Sequence, residues 1–170
     1  MNAGDMAETL DIVREAVRES GVRAVLSTGW GGVTVPPEEN LYVAGFVPHD
    51  WLFDRVSAVV HHGGAGTTAT SLRHALPTLV VPFGGDQPFW AERVYAAGCG
   101  PKAIPRDKLT AENLAEGLRA LISNPEYTRN AARIGEALRN EHGCANAADL
   151  IEKAVWDWEN GNPAQDGINI

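Results

Sequence analysis

Residues 59–76 read VVHHGGAGTTATSLRHAL and predict a strand, a glycine-rich turn and a helix in immediate succession. The two valines favour a strand, and Gly63, Gly64 and Gly66 permit a positive φ and a close approach of a ligand to the main chain. The hydroxyl-bearing run that follows suits a helix that ends before Pro77. Unpaired N–H groups and the helix dipole attract anions at the start of a helix. The stretch therefore predicts a site for a phosphate-bearing ligand.

The composition describes an acidic chain of ordinary globular character. Its 170 residues carry a formal net charge of −8, which argues against a nucleic-acid or anionic-membrane surface, because those are bound through clustered Lys and Arg. An anionic ligand must then be held by local dipoles and a few donors. The length suits one domain, predicted over residues 1–160, with a frayed tail over residues 161–170.

The cysteines and the hydropathy pattern bear on location. Cys99 and Cys144 lie far apart in the sequence and do not have the spacing of metal ligands, so we expect no disulfide framework. We therefore expect the protein to be located in a reducing cytoplasm. No apolar run approaches the ~18 residues of a membrane span, so a transmembrane segment is not expected either.

Short strands alternate with helices along the first two thirds of the chain. The patterns predict strands at 22–27, 40–44, 58–61, 78–81 and 100–104, and helices at 5–20, 66–76, 88–97, 110–123, 126–141 and 144–159. This alternation indicates an α/β fold with a Rossmann-like, doubly wound parallel sheet and a helical carboxyl-terminal segment. Ligands of such sheets bind at the carboxyl ends of the strands, where the glycine-rich turns fall.

The order of elements at the amino terminus is unusual for this fold. A doubly wound unit begins with a strand, whereas this pattern begins with a helix, and residues 1–4 are too short and polar to form a strand. We therefore expect a central first strand to be lacking, through truncation or supply by another chain. The alternative is an atypical fold.

Several blocks of sequence resemble a known family. VLSTGW (25–30), VAGFVPHDWLF (43–53), residues 59–94 and ENLAEGLRALI (112–122) resemble the carboxyl-terminal, nucleotide-sugar-binding half of GT-B glycosyltransferases. The similarity is to the sterol, macrolide and glycopeptide branch of the UDP-glucosyltransferase family. The HHGGAGTT block followed by GGDQ at this spacing is specific to that family.

The resemblance implies roles for the phosphate-binding turn. His62 matches the histidine that contacts the donor diphosphate. In the turn that begins at Gly63, the positions of Gly64, Gly66 and Thr67 match those that hold phosphate oxygens through main-chain and hydroxyl groups. A metal ion is not implied because the chain has no Asp-x-Asp pair, and no cofactor is expected beyond the UDP-sugar substrate.

The resemblance also implies contacts on either side of the diphosphate. Asp86 and Gln87 match the acidic and amide pair that takes the sugar hydroxyls, a role suited to a bidentate acceptor beside a group that donates and accepts. Phe46 and Val47 match the place where the nucleobase stacks and is read by backbone groups. Trp30 is expected to line the same wall.

The sequence departs from the family pattern in two ways. Plant-type members carry a glutamate for the ribose hydroxyls eight positions after the histidine, where this chain has Thr70, so the preference for UDP over dTDP is open. The family's catalytic histidine and its acidic partner belong to an amino-terminal domain that has no counterpart here. The Gly-Ser loop that follows the family's first strand is also lacking.

Structural roles remain as alternatives for these residues. His62 could be a structural histidine, His61 a strand-end residue satisfied by the backbone, and the glycines could pack a helix closely onto a sheet. Asp86 could cap a helix before Pro88. Trp30 and Phe46 could be core aromatics, since an aromatic near a strand end often is.

The expected function is donor binding, most simply of UDP-glucose, in an inverting glycosyltransferase that acts on a sterol-like or other lipophilic hydroxyl acceptor. The isolated chain is expected to be inactive, because the catalytic base would come from an amino-terminal acceptor-binding domain or subunit. Two alternatives stay open: a non-catalytic subunit or fragment that completes a partner chain, and a nucleotide-sugar-binding module without activity.

Overall fold

The computed structural model describes residues 3–28 and 38–161. The chain divides into two compact units, Met1–Leu138 and Arg139–Ile170. The helices are α1 (Ala3–Ser20), α2 (His49–Phe53), α3 (Ala65–Arg73), α4 (Gln87–Ala96), α5 (Ala111–Ser123), α6 (Pro125–Arg139) and α7 (Gly143–Glu159). The strands are β1 (Ala24–Ser27), β2 (Leu41–Ala44), β3 (Val59–His61) and β4 (Thr78–Val80). The predicted α/β class with parallel strands and a helical carboxyl-terminal segment is confirmed.

The strands form two parallel pairs. β1 pairs with β2, with Ala24 opposite Leu41, and β3 pairs with β4, with Val59 opposite Thr78. Among the described residues no strand joins the two pairs. The glycine-rich turn therefore follows β3 at the carboxyl edge of one pair, and residues 45–47 follow β2 at the carboxyl edge of the other.

The core of the first unit lies on both faces of the segment that contains β4. Leu79 and Val81 belong to a buried cluster with α1 and α5, whereas Val80 belongs to a second cluster with α4 and Cys99. Successive side chains of a strand point to opposite faces, so Leu79, Val80 and Val81 contribute to two buried clusters on opposite sides of the strand. Helices thus cover both faces of β4, as a doubly wound fold requires.

Local signals explain where the helices begin. Thr110 and Asn113 form a reciprocal capping box at the start of α5, with N–O distances of 3.2 and 3.0 Å. Pro88 lies in the first turn of α4, as predicted. Two guanidinium nitrogens of Arg14 donate to one Glu38 oxygen at 2.6 and 2.9 Å, which joins α1 to the residues before β2.

Two predicted elements differ in the structure. Residues 100–104 do not form a strand, although the Ile104 N–H donates to the Val80 carbonyl and the Thr78 N–H to the Cys99 carbonyl. Pro101 lies within that segment and Pro105 follows it, and neither has the N–H group that a longer ladder needs. The buried strand predicted at 22–27 is also only half-buried, since Val25 in β1 is 42% exposed.

The second unit contains α7 as its described helix. Trp156 and Trp158 are two positions apart on α7 and both are exposed. Residues two positions apart on a helix point in different directions, so the two indoles cannot pack into one core. The domain boundary predicted at residue 160 stays a prediction, and residues 162–170 lie outside the described part of the chain.

Candidate functional site

The start of α3 offers main-chain donors to a ligand. Gly64 is the N-cap, no side chain caps the helix, and the first turn holds no acidic residue. The first intrahelical bond is donated by the Thr68 N–H to the Gly64 carbonyl at 2.9 Å. The N–H groups of Ala65, Gly66 and Thr67 precede it and have no intrahelical acceptor. These groups and the positive end of the helix dipole give this turn the geometry of a candidate anion site, and anion binding here stays a prediction.

The His62 ring lies against the backbone of this helix start. A Cβ atom placed on Gly64 would lie 2.6 Å from His62 Nε2, so a larger residue at position 64 would displace the imidazole. The His62 side chain is exposed, which does not fit the alternative of a core histidine. An imidazole nitrogen therefore stands beside the unpaired N–H groups of α3.

The hydroxyl groups of α3 divide into two kinds. Those of Thr68, Thr70 and Ser71 donate to carbonyls four residues earlier, at 2.8 to 3.0 Å. The described residues provide no partner for the Thr67 hydroxyl, which remains available to a ligand. The Thr70 hydroxyl donates its proton to the Gly66 carbonyl, so only its acceptor capacity is left at the position where plant-type members carry a glutamate.

Gly63 brings the turn after β3 against the start of α4. Its φ is +93°, and a Cβ there would lie 2.6 Å from Val80 Cγ1 and 3.1 Å from the Gln87 carbonyl oxygen. Gly63 is the one glycine of the three that needs its conformational freedom, because Gly64 has φ −62° and Gly66 is helical. The lack of a side chain at Gly63 therefore allows the turn to pack closely against α4.

Asp86 and Gln87 are held by different partners at the start of α4. Asp86 occupies the N-cap position but its side chain makes no capping bond, so the prediction of a simple helix cap is wrong. Its Oδ2 accepts from the Trp90 indole at 2.8 Å. The Gln87 Oε1 accepts from the Phe83 and Gly84 N–H groups at 2.7 and 3.2 Å, and the described residues provide no hydrogen-bond acceptor for its amide N–H groups. Trp90 was not singled out from the sequence. Its position four residues after Asp86 on the same helix face was the signal that could have identified it.

The predicted nucleobase residues follow β2. Phe46 is 67% exposed, so its alternative role as a core aromatic is wrong, and Val47 is half-buried. Both lie beyond Ala44, whose carbonyl accepts from the Thr28 N–H at 3.0 Å at the carboxyl end of the β1–β2 pair. Trp30 lies outside the described residues. The structure therefore brings His62, Gly63, Gly64 and Gln87 together directly and places Phe46 at a separate strand end.

His61 is a buried, half-satisfied imidazole. Its Nδ1 accepts from the Gly63 N–H at 2.9 Å, which assigns the proton of the neutral ring to Nε2. Nε2 is buried without a partner among the described residues. Burial, followed by the proximity of His62 and His49, lowers the pKa of His61 from 6.5 to about 4. The backbone therefore satisfies Nδ1 of His61, as the alternative structural role predicted, but it does not satisfy Nε2.

We expect the free energy of unfolding to fall as pH decreases from 6.5 to 4. The unfolded chain protonates His61 in this window and the folded chain does not, so the stabilisation present above pH 6.5 is lost on acidification. The loss attributable to His61 is up to about 3 kcal/mol. Urea unfolding of the wild type and His61→Asn at pH 7 and pH 4.5 measures it. The wild type should lose more stability than the variant, and equal losses would contradict the assignment.

A cavity of about 490 Å³ lies beside these residues in the first unit. Its walls are Val25–Thr28 from β1, Ala58–His62 around β3, and Leu52, Phe53 and Val56 from the region of α2. His62 and Thr67 also line it, so the cavity is continuous with the anion site.

The described residues contain neither a cluster of metal ligands nor a helix suited to a membrane. Within residues 3–28 and 38–161 no three side chains of His, Cys, Asp or Glu converge as metal ligands. In the same part of the chain, none of the helices combines the length and apolar composition that a bilayer crossing requires.

Comparisons with solved structures define the class of protein. The glycosyltransferase of kitacinnamycin covers 84% of this chain, and 39% of its own length, at 26% identity and a TM-score of 0.72. Glycosyltransferase VinC, solved in complex with DTDP, covers 83% of this chain and 38% of its own, at 25% identity and a TM-score of 0.66. The fold is that of the carboxyl-terminal, sugar-donor domain of GT-B glycosyltransferases.

Sequence comparisons then identify the family. Residues 28–152 match the model described as Erythromycin biosynthesis protein CIII-like, C-terminal domain, and the chain belongs to this family. It is 42% identical over 156 residues to Sterol 3-beta-glucosyltransferase UGT80B1 of Arabidopsis thaliana, covering 90% of this chain and 25% of the relative. It is 41% identical over 156 residues to the Sterol 3-beta-glucosyltransferase of Kluyveromyces lactis, and the match covers 86% of this chain and 13% of that relative. The chain therefore spans a quarter or less of these curated relatives.

Proposed function

We propose that this chain is the donor-binding half of an inverting glucosyltransferase that uses UDP-glucose and a sterol-like or other lipophilic hydroxyl acceptor. The observation that carries the proposal is the His62 ring held at the uncapped start of α3, beside the unpaired N–H groups. A diphosphate at this point would receive an imidazole donor, main-chain donors and the positive end of a helix dipole.

The remaining contacts give the ligand a direction. Gln87 packs against the glycine turn through Gly63, so a hexose beyond the diphosphate meets the Gln87 amide and the Asp86 carboxylate. The Trp90 indole holds one Asp86 oxygen and leaves the other for sugar hydroxyls. An exposed Phe46 at the end of β2 suits stacking by the nucleobase.

The chemistry of this half would be departure of the leaving group. In the proposed reaction a base from the remaining polypeptide takes the proton of the acceptor hydroxyl, and its oxygen attacks the anomeric carbon as the bond to the diphosphate oxygen breaks. The negative charge that develops on the diphosphate is stabilised by His62 and the first turn of α3. The sterol acceptor is inferred from the names of the curated relatives.

Donor binding without turnover is the expected behaviour of the isolated chain. Calorimetric titration with UDP-glucose, UDP, dTDP and GDP should show binding of the pyrimidine nucleotides and none of GDP. The UDP and dTDP arms decide the base and ribose preference, which the Thr70 position leaves open. Incubation of the chain alone with UDP-glucose and cholesterol should release no UDP. Measurable turnover would contradict the proposal that the catalytic base lies in the remaining polypeptide. Absence of UDP-glucose, UDP and dTDP binding would refute the proposed function.

A further inference from the structure

The carboxylate of Asp86 is not held in the way that is usual for an aspartate at the start of a helix. An N-cap aspartate commonly has extended backbone angles and accepts from the N–H groups of the first turn. Asp86 has φ −82° and ψ −5° instead, its side chain makes no capping bond, and the residue is exposed. The first turn of α4 therefore does not fix the orientation of this carboxylate.

Trp90, one turn later in α4, holds the carboxylate instead. Its indole Nε1–H donates to Asp86 Oδ2 at 2.8 Å, and because an indole nitrogen is a donor only, the bond requires an acceptor at position 86. The Trp90 ring is half-buried and meets the Phe89 ring edge to face, with the ring centroids 5.1 Å apart. One carboxylate oxygen is thus held by a ring that is itself packed, and the described residues provide no partner for the other oxygen, Oδ1.

Gln87 is held in a complementary way. Its Oε1 accepts from the main-chain N–H groups of Phe83 and Gly84. The acceptor and the donors of a side-chain amide are on different atoms of one planar group, so fixing Oε1 also orients the Nε2 hydrogens. Two neighbouring side chains therefore present oriented groups of opposite polarity, an acceptor at Asp86 and donors at Gln87.

We propose that Trp90 is a positioning residue for recognition of the donor sugar: by holding Oδ2, its indole directs Oδ1 of Asp86 at one hydroxyl of the hexose, while the Gln87 amide meets another. The inference rests on the proposed function, because it assigns the carboxylate to the sugar. A hydroxyl both donates and accepts, so a hexose that keeps both hydroxyls satisfies both side chains. A deoxy sugar that lacks one of them leaves a polar group without its partner, so the pair favours the fully hydroxylated hexose.

The contribution of Trp90 is orientation before binding. An exposed carboxylate rotates freely, and immobilising such a side chain when a ligand arrives lowers affinity. The indole immobilises it beforehand, so the sugar does not bear that cost. The alternative is an ordinary contact between residues four apart, which stabilises α4 and has no effect on a ligand. A positioning role changes the affinity gained from the sugar, whereas a helix contact changes only stability.

Trp90→Phe removes the N–H and keeps an aromatic ring. Calorimetry on the full chain gives the sugar gain, defined as the Kd of UDP divided by the Kd of UDP-glucose. The sugar gain should fall about fivefold in Trp90→Phe, the size of one ordinary hydrogen bond, and the Kd of UDP should stay within about twofold of the wild type. The matched control is Tyr95→Phe, which removes a hydroxyl from an exposed aromatic residue of α4 and should keep the wild-type sugar gain.

Analogues of UDP-glucose that each lack a single sugar hydroxyl locate the effect. In the wild type, one analogue should lose the contact to Asp86 and another the contact to Gln87, and each should bind more weakly than UDP-glucose. Trp90→Phe should shrink the penalty for the first analogue and leave the penalty for the second unchanged. Equal changes for all analogues would contradict a role that acts through Asp86.

A double substitution tests whether the indole acts through the carboxylate. In an Asp86→Ala background, Trp90→Phe should leave the sugar gain unchanged, because the group that the indole orients is absent. Independent losses that add in the double variant would overturn the positioning role.

A measurement on the wild type does not depend on how well Trp90→Phe folds. The indole N–H resonance of Trp90 is identified by its loss of protection from solvent exchange in Asp86→Ala. It should shift when UDP-glucose is added and stay in place with UDP. Equal responses to the two nucleotides would contradict contact between the sugar and the held carboxylate.

The titrations separate this inference from the proposed function. A wild-type sugar gain in Trp90→Phe, together with a lower free energy of unfolding in urea, would overturn the positioning role and leave a helix contact. UDP binding with no sugar gain in the wild type would also overturn it and leave nucleotide binding in place. A wild type that binds neither UDP nor UDP-glucose would refute the proposed function and the inference with it.

Discussion

His62→Ala should weaken UDP-glucose binding by about 10- to 100-fold, since a hydrogen bond to a charged group contributes about 1.5 to 3 kcal/mol. The ring stands against Gly64 at the start of α3, so its removal takes away a side-chain donor beside the unpaired N–H groups. Because His62 is exposed and not part of the core, the free energy of unfolding should stay nearly unchanged. Calorimetry measures the affinity, and urea unfolding measures the stability.

Two variants sharpen this test. His62→Asn keeps a side-chain donor and should recover part of the lost affinity. His142→Asn removes an imidazole in the second unit, at a position with φ +50° that asparagine tolerates, and should bind UDP-glucose as the wild type does. If His62→Ala bound UDP-glucose with the affinity of the wild type, the prediction would be wrong and the phosphate contact would belong to the N–H groups at the start of α3 alone.

Gly100→Ala should cost about 3 kcal/mol or more of the free energy of unfolding, at the upper end of overpacking effects. Gly100 is buried, and a Cβ there would overlap the Thr78 carbonyl oxygen and lie 2.8 Å from its carbon. These atoms are backbone, so no rotamer change relieves the overlap. The shift would also strain the bond from the Thr78 N–H to the Cys99 carbonyl, next to both buried clusters.

Gly45→Ala is the matched control for this stability effect. A Cβ on Gly45 meets nothing within 4 Å, and the residue does not have a positive φ. Its stability should therefore stay within about 0.5 kcal/mol of the wild type. Denaturant curves of the three proteins compare the midpoints, and a Gly100→Ala midpoint equal to that of Gly45→Ala would show that the segment yields without cost.

The elements with strong local signals were predictable from the sequence. The helix that starts after Thr110, the proline in the first turn of α4 and the glycines after β3 depend on neighbouring residues, and each is found where predicted. The strand, turn and helix of the candidate anion site were predictable for the same reason, because their succession is a local arrangement.

The features that depend on distant contacts were not predictable. The segment 100–104 has strand-like composition, yet its pairing with β4 stops after isolated hydrogen bonds. Predicted α3 extends to residue 76, but the helix ends at Arg73 because Ala75 adopts φ +59°. The indole that holds Asp86 and the contact of Gly63 with Gln87 arise from how α4 packs, which periodicity does not report.

The division of the strands into two pairs also has a consequence for cooperativity. The buried clusters draw on β4, α1, α4, α5 and α6, whereas β1 and β2 contribute chiefly Leu41 and Ala44 to the buried residues. A region with few buried apolar contacts opens at a lower free energy than the rest of the molecule. The β1–β2 pair, which precedes Phe46, is therefore expected to open at a lower free energy than the β3–β4 layer and independently of it.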